Sequence, residues 1–126
     1  MTWQELSTNQ DLIGKTISLQ IGGKGYRGPI KAIEFLGPDS EENPNHLKIT
    51  VDWLAFHKQK GGWQLYSSSW QQLSIPMDKA APPTGSAQII SFLSPNFGDI
   101  MIFLKEQDQL DPAEVEGLDL TQLAGK

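Results

Sequence analysis

The stretch that decides the fold is His46-Leu47-Lys48-Ile49-Thr50-Val51-Asp52-Trp53-Leu54-Ala55-Phe56. Leu47, Ile49, Val51 and Trp53 alternate with Lys48, Thr50 and Asp52. A period of two is the side-chain repeat of a β-strand, so the stretch predicts one central strand with its four apolar residues buried on one face. Downstream, Lys58-Gln59-Lys60-Gly61-Gly62 reads as a turn, followed by strands at Trp63–Tyr66 and Trp70–Ile75. Leu65, Leu73 and Ile75 are their core candidates, and Pro76 ends the second. Residues 78–87, with Pro82-Pro83 and Thr84-Gly85-Ser86, form a loop. Residues 88–93 and 99–105 then form a hairpin around Ser94-Pro95-Asn96-Phe97-Gly98.

Upstream, Pro29–Leu36 fits a helix face through Ile30, Ile33 and Leu36, but its β-branched content and short length favour a strand. Residues 37–45 are a polar loop with Asp39, Glu41 and Glu42. Thr16–Ile21 alternates with Ile17, Leu19 and Ile21 on one face, and Gly22-Gly23-Lys24-Gly25 turns after it. The caps Thr2-x-x-Glu5 and Ser7-x-x-Gln10 predict a short N-terminal helical stretch ending at Gly14, with Trp3, Leu6, Leu12 and Ile13 inward. Seven short strands without a long helix predict an all-β fold, a small antiparallel barrel or sandwich of SH3-like general shape, because closure removes exposed edges. No motif is specific enough to name a family.

Composition agrees with a folded chain of about one domain. Hydrophobic residues are 38% of 126, glycine adds 12 more, and cysteine is absent, which excludes disulfides and thiolate metal sites. The longest apolar run, Ile100–Leu104, is far shorter than a membrane span. The N-terminus has no secretory or myristoylation pattern, which predicts a cytoplasmic protein. The net charge of −5 is uneven: residues 1–105 carry nine basic and nine acidic residues, and the excess lies in Glu106, Asp108, Asp111, Glu114, Glu116 and Asp119. The chain therefore divides into a β-rich domain over 1–105 and an acidic tail over 106–126. Asp111-Pro112-Ala113-Glu114 allows one helical turn at 112–116, and the rest reads as a solvated end.

Catalytic and cofactor motifs are weak. Gly23-Lys24-Gly25-Tyr26-Arg27-Gly28 matches a dinucleotide fingerprint, but Gly28-Pro29 interrupts the helix that a phosphate cradle needs, so a glycine-rich hairpin tip is expected and no cofactor. His46 and His57 sit at opposite ends of one predicted strand and share no metal through local spacing. Ser67-Ser68-Ser69 lacks a nucleophile-elbow frame, and Glu41-Glu42 lacks an apolar setting that would raise a carboxyl pKa. Most of the four tryptophans are expected in the core.

The remaining signal is a basic, aromatic-flanked rim. In a simple meander the tips near 22–28, 57–62 and 78–87 share one end, and those near 37–45 and 94–98 share the other. The first end gathers Lys24, Arg27, Lys58, Lys60 and Lys79 with His57, flanked by Tyr26 and Trp63. This predicts a non-enzymatic binding module that engages a protein or acidic peptide through Lys24, Tyr26, Arg27, His57, Lys58, Lys60 and Trp63. The alternatives are a single-stranded nucleic-acid binder and an enzyme of unidentified class. The acidic tail either covers the rim as an internal competitor or, as screening of exposed pairs favours, remains a free solubilising segment.

Overall fold

The computed structural model describes residues 2–42, 44–58, 62–77 and 82–117. Helix α1 (Trp3–Thr8) and a 3-10 turn (Gln10–Leu12) precede β1 (Thr16–Ile21) and β2 (Lys24–Leu36). Then follow β3 (His46–Val51), β4 (Leu54–His57), β5 (Trp63–Ser67), β6 (Gln71–Pro76), β7 (Thr84–Gly85), β8 (Ile89–Ser94) and β9 (Gly98–Phe103). Two more 3-10 turns, Glu106–Asp108 and Pro112–Glu114, lead into β10 (Val115–Glu116). Among the described residues no helix is long and apolar enough to cross a membrane.

The long strand β2 belongs to two sheets. Its first half pairs with β1 and with β4, while its second half, Ile30–Leu36, pairs with β3. The first sheet runs β10-β5-β4-β2-β1-β9-β8-β7, and the second is β2-β3-β6. The arrangement is mostly β as expected, but the barrel is not closed, and β10 pairs with β5 in parallel, so the sheet is mixed rather than antiparallel. Nor is it a simple meander. The Ser94–Gly98 tip lies at the Gly22–Gly23 end of the sheet, because Gln20 donates its backbone N–H to the Phe97 carbonyl, 3.4 Å away. The acidic residues Asp39, Glu41 and Glu42 do lie beyond the far end of β2.

The deciding stretch divides in two. Leu47, Ile49, Val51 and Trp53 are all buried as predicted. Strand pairing nevertheless breaks at Asp52-Trp53, so β3 joins the second sheet and β4 the first. The break coincides with a close approach of β2: the Trp53 carbonyl sits where a side chain at position 28 would begin. Only glycine permits that contact. Thus the glycine-rich segment serves strand packing, and the β1–β2 connection itself is a two-residue hairpin, with Gly22 and Gly23 at φ +58° and +84° and Ile21 opposite Lys24.

The main core gathers Leu6, Leu12, Ile17, Leu19, Ile30, Leu47, Ile49, Ile75, Ile90, Ile100 and Ile102 between the sheets and the N-terminal helix. The Thr2 hydroxyl caps α1 as predicted, accepting from the Glu5 N–H at 3.1 Å. The helix stops at Thr8, however, and Asn9 rather than Ser7 caps the next turn. Ile13, just past that turn, is 44% exposed instead of inward. Of the four tryptophans, Trp53 is buried, Trp3 and Trp63 are half-buried against the two cores, and Trp70 is exposed.

A second, smaller core lies on the other face of the first sheet. Trp53, Ala55, Leu110 and Val115 form it, with Trp63 and Leu65 against them. Residues 106–117 supply two of these, so over this range the acidic segment is a strap packed on the sheet and not a free tail. The predicted turn at 112–116 appears as 3-10 helix over Pro112–Glu114, capped by the Asp111 carboxylate, and then gives way to β10. Residues 118–126 lie outside the described residues.

Candidate binding site

Register brings the two basic tips together. Because Tyr26 pairs with Phe56 and Arg27 with Ala55, the start of β2 runs alongside the end of β4. Gly23, Lys24, Gly25, Phe56, His57 and Lys58 then line an open cleft of about 580 Å³. The Lys24 ammonium stands 5.4 Å from the centre of the Phe56 ring, an attraction between a cation and the negative face of an aromatic ring. Tyr26 continues this face at 6.0 Å from Phe56, and Tyr66 packs edge-on against Tyr26 at 5.2 Å. Tyr26 itself is buried, but Tyr66 remains 57% exposed.

The other face of the same strands is organised differently. Arg27 inserts its guanidinium between Trp63, 5.1 Å away, and Phe103, 4.8 Å away. Burial lowers the Arg27 pKa from its ordinary value, and the carboxylate of Asp108 on the strap opposes that shift. His57 meets the Trp63 ring edge to face at 5.1 Å. Lys58 is ion-paired with Glu116 of the strap.

The seven residues predicted for the rim therefore separate. Lys24, His57 and Lys58 line one cleft, although the His57 ring rests on Trp63, and Tyr26 is a core residue packed against Phe56 of that cleft. Arg27 and Trp63 pack beneath the strap on the opposite face. Lys60 lies outside the described residues, as does Lys79. Phe56, which sequence reasoning misses, lines the cleft, and Tyr66, also missed, packs on Tyr26 beside it. The signal for Tyr66 is the alternation of Gln64 and Tyr66 with Trp63 and Leu65, which places Tyr66 on the face opposite Leu65.

The other motifs have local structural roles. The Ser67 hydroxyl accepts from Gln71 Nε2 at 3.0 Å and donates to the Ser69 carbonyl at 3.3 Å, as a hydrogen-bonded turn does. His46 bonds the Pro44 carbonyl through Nδ1 at 2.9 Å. Glu42 pairs with Lys48 at 2.7 Å. Among the described residues no group of three or more histidines and acids is placed to hold a metal ion.

Comparisons with protein-family models, with curated proteins and with solved structures found no match to this chain.

Proposed function

We propose that the chain is a non-enzymatic binding module that holds an acidic peptide segment of a protein partner in the Lys24–Phe56–His57–Lys58 cleft. The observation that carries this reading is the convergence of two lysines, 34 positions apart in the sequence, on a cleft with an aromatic wall. A carboxylate needs one ammonium partner, and its neighbouring apolar side chain needs a ring to rest on. Lys24 over Phe56 supplies both within one residue's reach. Lys58 already pairs with a carboxylate of this chain, which is the same recognition in cis.

A nucleic acid fits less well. Single strands are held by a track of cations along several phosphates, whereas the described part of this cleft supplies two lysines, one of them paired. Two phosphate contacts would give a salt slope of only about −1.4 on a log–log plot.

The test is fluorescence anisotropy with a labelled hexapeptide of five glutamates and one central phenylalanine. Parent protein is expected to bind it, and Lys24→Glu to weaken binding about tenfold or more, roughly 1.4 kcal/mol, without loss of fold because Lys24 is exposed. Equal affinities for parent and variant contradict the assignment. Preferential binding of an oligothymidylate that weakens steeply with salt would favour the nucleic-acid reading instead.

A further inference from the structure

The strap is pinned at its base by several hydrogen bonds, and over its last described residues by a two-residue strand. At the base, the Gln109 side chain accepts from the Thr16 backbone N–H and donates to the carbonyls of Phe103 and Lys105 at 2.7 and 2.8 Å. Leu110 is buried, and its N–H donates to the Thr16 hydroxyl at 2.9 Å. Beyond Leu110, residues 111–114 are exposed and carry one short 3-10 turn. Among the described residues, the strap then pairs with the sheet again at Val115, opposite Trp63, and Glu116, opposite Gln64, parallel to β5. Val115 is buried in the second core, and Glu116 pairs with Lys58.

We propose that the β5 edge is a peptide-docking edge whose resting occupant is the chain's own Val115–Glu116, and that an external extended peptide with the same pattern takes that place. The pattern is a β-branched residue followed by glutamate, running parallel to β5. Strand addition to a sheet edge uses main-chain hydrogen bonds for affinity and pockets at alternate positions for selectivity. Here the pocket is the apolar site at Trp53, Ala55, Trp63 and Leu65, and the selecting charge is Lys58. The proposal goes beyond the cleft reading above: it shares Lys58 with that cleft but seats its occupant on the β5 edge, on the face covered by the strap.

A tethered occupant acts at an effective concentration in the millimolar range for a short linker, so it masks the edge even when each contact is weak. The affinity seen by an external peptide is reduced by the fraction of molecules in which the edge is open. Loosening the strap end must therefore strengthen binding in trans. Gln109 and Leu110 would remain in place and keep the strap's base closed.

The experiment titrates a fluorescein-labelled peptide, Leu-Asp-Pro-Ala-Glu-Val-Glu-Gly, which copies residues 110–117, into full-length parent, Glu116→Gln and Val115→Asp proteins. Val115→Asp is expected to bind at least tenfold more tightly than the parent and Glu116→Gln about two- to fivefold more tightly, as loss of one exposed ion pair allows, and adding Lys58→Glu to either is expected to abolish the gain. Glu116→Gln lies on the surface and keeps the test valid should Val115→Asp fail to fold. Equal affinity for parent and Glu116→Gln, or no binding to Glu116→Gln, overturns the proposal. The phenylalanine-containing hexapeptide, which reads Lys24 and Phe56, is measured beside it. If that probe binds in a Lys24-dependent way while the strap peptide shows no gain, the internal competitor is refuted and the cleft reading stands. If neither binds, both fall.

Discussion

Gly28→Ala is expected to lower the melting temperature by about 10 °C or more. A β-carbon at this position would lie inside the contact distance of the Trp53 carbonyl oxygen, 3.2 Å from its carbon and 3.3 Å from Leu54 Cδ2. The first two atoms are backbone, held by the crossing of β2 into the second sheet, so relief requires moving a strand. Overpacking against side chains costs about 1–3 kcal/mol, and a clash with backbone belongs at or above the top of that range. For a chain of this size each kcal/mol shifts the midpoint by about 3–5 °C. Gly25→Ala is the internal control. It lies in the same strand, with nothing within 4 Å of the added carbon, and is expected to melt within about 2 °C of the parent. Equal effects of the two substitutions would show that the Trp53 carbonyl does not press on Gly28.

Ile49→Asp is expected to cost several kcal/mol and to leave a large unfolded fraction at neutral pH. Ile49 is fully buried in the middle strand of the second sheet, opposite Ile33 on one side and Leu73 on the other. A carboxylate there has no cation or donor to replace water, so its folded-state pKa rises above the unfolded value of about 3.9. With the folded pKa raised, the folded state binds the extra proton, and stability falls as pH climbs from the unfolded pKa to the folded one. The deficit relative to parent should thus be smaller at pH 4 than at pH 7. Thr50→Asp, on the opposite face of the same strand, is expected to cost about 1 kcal/mol. Urea unfolding of the three proteins at both pH values checks both statements. Equal losses at positions 49 and 50 would mean that the strand faces are not distinct.

Much of the fold is legible because alternation is a local signal. Leu47, Ile49 and Val51 needed only their spacing to be placed, and so did Ile17 and Leu19 in β1. The division of the 46–56 stretch between two sheets was not legible, because it depends on Gly28, 18 or more positions away, admitting the Trp53 carbonyl. The glycine was visible in the sequence, but a phosphate-loop pattern and a close strand crossing use the same residue for the same reason, its missing side chain. The two-residue strand β10 was hidden for another reason. Asp111-Pro112-Ala113-Glu114 carries genuine cap chemistry, which the 3-10 turn fulfils, but Val115 then enters the apolar site with Trp63, a contact that lies 52 positions away in the sequence.

For the candidate site, loop-tip charge singles out Lys24, His57 and Lys58, which the structure places around one cleft, since hairpin ends are easily read from Gly-Gly turns. It did not separate the two faces. Tyr26 and Arg27 are adjacent in sequence and therefore point to opposite sides of β2, one into the main core and one under the strap. Burial of the arginine between two rings, one of them 76 residues away in β9, is a long-range contact that no local pattern announces.

The most direct test of the binding cleft is a titration of the nitrogen-15-labelled chain with the same hexapeptide, followed through backbone amide shifts. The expected result is saturable movement concentrated at Lys24, Gly25, Phe56, His57 and Lys58, with the second cleft, lined by Gln4, Thr8, Ile33 and Phe35, unmoved. Shifts centred on Gln4, Thr8 and Phe35, or no saturable shift at Lys24 and Phe56, would contradict it.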